Sequence, residues 1–165
     1  MTRGDDRGRR IVVIGVGNDL RRDDGAGPAV IARLRALQPG DEGLSGVTLA
    51  LSDGEPARMI DLWEGTRLAV VIDAVRDTTM PPGHTCQLTV GDLAGHLSGN
   101  ADGAASSHGI GLGDTVELAR ALGRLPARLT VLAVAGRDFG FGTELSAEVV
   151  AAVAELVEQV REIVH

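Results

Sequence analysis

Cysteine is nearly absent from this chain. Cys86 stands alone, which excludes a disulfide framework and a multi-thiolate zinc site and fits a reducing cytoplasm. Lysine and tyrosine are missing altogether, so all 16 cations are arginine. That bias, with the abundance of Gly and Ala, records base composition and carries no functional weight. No run of about 18 apolar residues occurs, and the opening MTRGDDRGRR lacks the apolar segment of a secretory signal, so no membrane address is expected. Clustered cations are lacking too. With a formal charge of −7 and no basic face, nucleic acid is not an expected partner. Several catalytic signatures are missing as well. Gly15-Val16-Gly17 has Leu20 where a dinucleotide fingerprint needs its third glycine, and there is no GxxxxGK[ST], no HExxH and no G-x-S-x-G. No organic cofactor is therefore expected. Ser106 and Ser107 beside His108 make no triad, because triad members meet in space and not by adjacency.

What remains is an ordinary globular composition: 165 residues, 44% apolar and 24% charged, enough for one domain with a sizeable core. Residues 1–9 are charged and Gly-containing and read as a flexible tail before a single domain over 10–165. Apolar runs alternate with helical patterns, the signature of an α/β fold in which crossover helices join a mostly parallel sheet. The continuous β-branched run Ile11–Ile14 reads as a strand covered on both faces. A helix follows near 25–37, then a strand near 47–51, a short helix carrying Met59, Ile60, Leu62 and Trp63, and a third strand over Leu68–Ile72 ending in Asp73. Pro81-Pro82-Gly83 turns the chain into a further strand over His84–Val90 that alternates as an antiparallel strand does. Residues 98–107, SGNADGAASS, read as a loop. A helix over 111–123, a buried strand over 129–135 and a final amphipathic helix from Leu145 to Ile163 complete the pattern.

The chemistry is concentrated at strand ends. In an open parallel sheet the carboxyl ends of neighbouring strands share one edge, and ligands bind in the crevice there. Asp24, Asp53 and Asp73 all follow strand ends, and they line one rim if the first strand lies between the second and third. His108, at a loop-to-helix junction, is placed to join them. Two carboxylates and an imidazole suit a divalent transition metal, with imidazole favouring zinc or nickel over magnesium. Each residue also has a plainer reading. An Asp between strand and helix commonly caps the helix or shapes a turn, which fits Asp23 better than a ligand role. His84 and Cys86, two apart on a strand, share a face, and a half-buried strand surface accounts for them.

Three blocks carry a family resemblance. GVGNDLRRDDGAGP (Gly15 to Pro28), VVIDAV (Val70 to Val75) and SHGIGL (Ser107 to Leu112) resemble, in the same order and over about residues 10–160, segments of the hydrogenase maturation endopeptidases. These enzymes trim the C-terminus of a nickel-containing large subunit. The resemblance implies a three-layer αβα sandwich in which Asp24, Asp73 and His108 stand at the metal-liganding and catalytic positions. It places Asp53 and Gly54 at a site linked to substrate recognition. It further implies that nickel arrives with the precursor of the hydrogenase large subunit, the expected partner, and that one peptide bond near the precursor's C-terminus is hydrolysed. Asp24 stands where many relatives have Glu, which keeps an anionic oxygen ligand and shortens its reach by one methylene. Two other functions fit a chain of this pattern: a nickel-binding maturation adaptor of the same fold that does not cut, and an α/β small-ligand-binding domain using the Gly-rich turn.

Overall fold

A computed structural model describes residues 7–77, 79–97 and 111–165. The sequence expectations for a tail over residues 1–6, a loop over 98–107 and the His108 ligand fall outside the described residues. Residues Arg7–Arg9 form one 3-10 turn.

Five strands build one sheet: β1 (Ile11–Val16), β2 (Val47–Ser52), β3 (Leu68–Val75), β4 (Thr85–Thr89) and β5 (Arg128–Ala135). Their order is β2-β1-β3-β5-β4, with all neighbours parallel except β4, which runs antiparallel on β5. The helices are α1 (Ala26–Leu37), α2 (Pro56–Trp63), α3 (Val90–Leu97), α4 (Leu112–Ala121) and α5 (Ala147–Val164). Alternate residues of each strand point to opposite faces, and the core divides accordingly. On one face Ile11, Val13, Val70, Ile72 and Leu132 pack with Val30, Ile31 and Leu34 of α1 and Val153 and Leu156 of α5. On the other, Val12, Ile14, Ala69, Val71 and Val131 meet Met59, Ile60 and Trp63 of α2, Leu93 of α3 and Val116 of α4. The result is the expected α/β sandwich of helix, sheet and helix layers. Trp63 is fully buried, and its indole N–H donates to the Arg124 carbonyl at 3.1 Å, so burying the ring strands no polar group. Among the described residues, no helix is long and apolar enough to cross a membrane.

Two elements depart from the sequence expectation. The third strand runs on through Asp73 to Val75, because its pairing with β5 continues past Asp73↔Ala133 to Val75↔Ala135. The strand expected over 84–90 ends at Thr89, and Val90 opens α3, a helix the apolar pattern did not indicate. A reciprocal cap starts it. Thr89 N–H donates to Asp92 Oδ2 at 2.8 Å, and Asp92 N–H donates weakly to Thr89 Oγ1 at 3.4 Å. The Thr-x-x-Asp spacing was the available signal.

The strand order decides where a ligand can bind. From β1 the chain passes through α1, on one face, to β2 at the edge, then returns through α2, on the other face, to β3 on the far side of β1. The carboxyl ends of β1 and β3 therefore flank the point where the winding reverses, the place where such sheets hold ligands.

Candidate functional site

The exit of β1 is shaped by glycines that let backbones touch. Gly17 has φ of +145°, and a Cβ there would lie 1.9 Å from the Asp24 carbonyl oxygen. A Cβ on Gly27 would lie 2.6 Å from the Val16 carbonyl oxygen and 2.8 Å from that of Ile72. The first turn of α1 thus sits directly on the ends of β1 and β3, and only glycine permits it. The 3-10 turn Arg22–Gly25 packs against β3 in the same place.

Asn18 organises this turn. Its side-chain oxygen accepts from Leu20 N–H at 2.9 Å, its carbonyl accepts from Arg21 N–H at 3.0 Å, and its own N–H donates to Asp24 Oδ2 at 2.8 Å. Asp24 is 2% exposed. Asp73, 4% exposed, is one residue beyond Ile72, the partner of Gly15 in the β1–β3 register. Its place in the strand alternation puts it on the face of Ala69 and Val71, the face covered by α2, α3 and α4. The helices on either side of residues 98–110 in the chain, α3 and α4, contribute Leu93 and Val116 to that same face. Two buried carboxylates are thereby brought to the reversal point, one on a turn and one on a strand. Among the described residues there is no group of three or more His, Cys, Asp or Glu that could hold a metal ion. Asp24 and Asp73 alone supply anionic oxygens, which a divalent cation accepts but for which nickel needs a softer third donor.

Asp53 lies on the same edge. The Ser52 carbonyl at the end of β2 accepts from Gly17 N–H at 3.0 Å, tying that strand end to the β1 exit. Asp53 is exposed, and its Oδ1 accepts from Glu55 N–H at 3.0 Å; Gly54 takes φ of +92° and donates to Ser52 Oγ at 3.1 Å. Glu55 caps α2 by accepting from Ala57 and Arg58 N–H at 3.1 and 2.9 Å. Topology thus sets the three acids along one rim in the order Asp53, Asp24, Asp73, with Asp53 on the open side.

Asp23 does something the sequence pattern did not disclose. Fully buried, it serves no local cap; its Oδ2 accepts from Arg137 N–H, Asp138 N–H and Ser146 Oγ at 2.7, 3.0 and 2.9 Å, and its Oδ1 accepts from Ser146 N–H at 2.7 Å. Burial alone would raise its pKa, but the bonds from Ser146, Asp138 and Arg137 outweigh burial and hold it below the ordinary carboxylate value. Asp23 therefore pins the segment between β5 and α5 to the turn that carries Asp24. Its partners are 114 or more residues away in sequence, so no local spacing could signal the role.

Cys86, half-buried, pairs with Ala133, which in turn pairs with Asp73. Burial pushes its thiol pKa up and the charge of Asp77 adds to that, the opposite of what a nucleophile needs. His84 precedes β4 and is exposed.

The family model described as hydrogenase maturation protease matches residues 54–163, a segment that includes Gly54, Asp73 and His108 and leaves out Asp24 and Asp53. No curated protein matches the chain. Solved structures do. A hydrogenase 2 maturation peptidase from a Thaumarchaeota archaeon is 30% identical, with 94% of this chain and 97% of that chain covered and a TM-score of 0.64. The NiFe hydrogenase maturation protease HybD from Thermococcus kodakarensis is 24% identical, with 94% and 99% covered and a TM-score of 0.75. The hydrogenase maturating endopeptidase HybD from E. coli is 23% identical, with 92% and 89% covered and a TM-score of 0.71.

Proposed function

From the premise that this chain belongs to the hydrogenase maturation protease family, and is therefore a peptidase, we propose that it removes a C-terminal peptide from the nickel-loaded precursor of a hydrogenase large subunit. The nickel is carried by the substrate. Asp24, Asp73 and His108 engage it, and Asp53 with Gly54 contacts the precursor at the open side of the rim. The observation that carries this reading is the burial of Asp24, on the turn that follows β1, and of Asp73, in β3, at the reversal point of the sheet.

Each part of the site has a physical task. Carboxylates held in a water-poor crevice attract a cation more strongly than they do in bulk water. Asn18 N–H fixes the direction of the Asp24 carboxylate, so little order is lost when the metal-bearing segment docks. With the metal so held, the scissile carbonyl beside it is polarised and water adds to the carbonyl carbon. The C–N bond then breaks, and the departing amine takes up the proton. Loss of the tail completes the subunit's maturation. The proposed setting is the cytoplasm.

Incubation with nickel-loaded and nickel-free precursor, read by intact mass, tests this. Loss of a C-terminal peptide only from the loaded precursor is expected. Binding without mass loss would instead favour the non-cutting adaptor, and neither binding nor cleavage would favour a small-ligand domain. The Asp24→Ala variant should keep a folded melting transition and leave the loaded precursor intact; normal processing by it would sink the assignment of Asp24.

A further inference from the structure

The chain has few aromatic residues, one Trp and two Phe. Trp63 and Phe139 are buried, whereas Phe141 is 79% exposed and Leu20, on the Asp24 turn, is 60% exposed. Isolated exposed apolar residues need no explanation, but the backbone segments that carry these two are tied together. Arg21 forms a parallel bridge with Gly142; Arg22 N–H donates to the Gly142 carbonyl at 2.9 Å, and Gly142 N–H donates to the Leu20 carbonyl at 2.9 Å. One residue earlier in that register, the Leu20 backbone lies beside that of Phe141. Arg22 takes φ of +47°, a conformation costly for a side-chain-bearing residue, while its Nε donates to the Phe141 carbonyl at 3.1 Å and it pairs with Asp138 at 3.6 Å. Asp23 anchors the other side of the loop through Arg137, Asp138 and Ser146. An exposed apolar pair is thus built on a rigid base, against the hydrophobic effect, next to the site.

Charge narrows what it fits. The Arg21 guanidinium lies 4.3 Å from the Phe141 ring centroid, stacked on its face. The ring attracts the cation without supplying a carboxylate or carbonyl acceptor, so the guanidinium N–H donors stay available for a carboxylate. Arg21 is exposed and makes no ion pair with another described residue, in a chain whose net charge is −7.

We propose that Leu20, Arg21 and Phe141 are specificity-determining residues that dock the protein substrate, receiving an apolar side chain on Leu20 and Phe141 and a neighbouring acidic side chain on Arg21. The docked segment lies beside the cleavage edge, because Leu20 and Asp24 belong to one turn organised by Asn18. This rests on the endopeptidase reading above and adds to it a recognition surface away from the metal.

The test is steady-state processing of nickel-loaded precursor by the wild type and by Phe141→Ser, Leu20→Ser, Arg21→Glu and Arg21→Lys, with Leu37→Ser as a control at the far end of α1. Phe141→Ser and Arg21→Glu should each lower kcat/KM about tenfold or more through KM, as for central aromatic and Arg contacts of interfaces, with kcat at saturation and the melting temperature near wild type. Leu20→Ser should follow in the same direction, Arg21→Lys should retain most of the affinity, and Leu37→Ser should match wild type. Unchanged KM in Phe141→Ser and Arg21→Glu overturns the proposal, as does a fall in kcat alone. If the wild type leaves the precursor uncut, the endopeptidase reading fails separately. Calorimetric binding of the loaded precursor then decides the surface: about tenfold weaker binding by Phe141→Ser upholds it, and equal binding overturns it.

Discussion

Asp23→Asn offers a test of whether the Asp24 turn is held from the opposite end of the chain. The wild-type carboxylate is buried and accepts four hydrogen bonds, three of them on Oδ2 and one on Oδ1. An amide has one acceptor oxygen. With that oxygen in the Oδ2 position, its NH2 group confronts the Ser146 N–H, leaving a buried donor unsatisfied at a cost of about 1–3 kcal/mol. The three surviving bonds lose their charge assistance, about 0.5–1 kcal/mol each. Removing a buried charge returns some desolvation energy, but the lowered pKa shows that the hydrogen bonds outweigh burial in the native protein. A net loss of about 2–4 kcal/mol follows, which for a chain of this size lowers the melting temperature by roughly 5–15 °C. The pH dependence has a definite sign. A carboxylate whose folded pKa lies below its unfolded value contributes fully above the unfolded pKa, and the contribution is lost as pH falls through the folded one. The gap between wild type and variant should therefore be constant from about pH 5 to 8 and shrink below about pH 4. Thermal melts across this range, with hydrogen exchange at the Arg137, Asp138 and Ser146 amides, provide the measurement. A gap below about 1 °C at neutral pH, or one undiminished at about pH 3, refutes the reasoning.

Gly27→Ala should destabilise by about 1–3 kcal/mol or more, because its Cβ would press on main-chain atoms of Val16 and Ile72 that cannot move aside independently; a melting temperature equal to wild type would show that α1 does not rest on the strand ends as described. Cys86 should alkylate more slowly with iodoacetamide at about pH 8 than a small-molecule thiol of ordinary pKa, since burial and the charge of Asp77 both disfavour its thiolate. A rate equal to or above the reference thiol would reverse that assignment.

The central strands β1, β3 and β5 are legible because they are buried on both faces, and such strands appear in sequence as unbroken apolar runs like Ile11–Ile14 and Leu129–Ala135. The antiparallel β4 was legible for a different reason: Pro81-Pro82-Gly83 forces a turn, and the alternation after it suits an edge strand with one face exposed. Where a residue is both strand former and helix starter, periodicity failed. The alternation carries Val90 into β4, whereas the Thr89–Asp92 cap makes it the first residue of α3. A carboxylate at Asp73 looks like the end of the third strand, whereas pairing with β5 carries the strand past it.

The rim of the site followed from topology alone. Asp53, Asp24 and Asp73 share an edge because β1 lies between β2 and β3, an order that alternating strands and helices allow but do not dictate. What could not be anticipated is how the rim is held. Asp23 and Asp24 are adjacent, identical in side chain and both buried, and nothing local separates them; the difference is that Asp23 meets the segment after β5, while Asp24 is aimed by Asn18 within its own turn. The same long-range pairing exposes Leu20 and Phe141, since Arg22 reaches the Phe141 carbonyl across 119 residues of sequence. Local spacing can nominate a pair of acids, but only tertiary contact shows that Asp23 belongs to the scaffold. Substitutions at Asp23 and Asp24 should therefore separate: the first lowers stability, with processing lost as the loop loosens, and the second removes processing from a fold that still melts cooperatively.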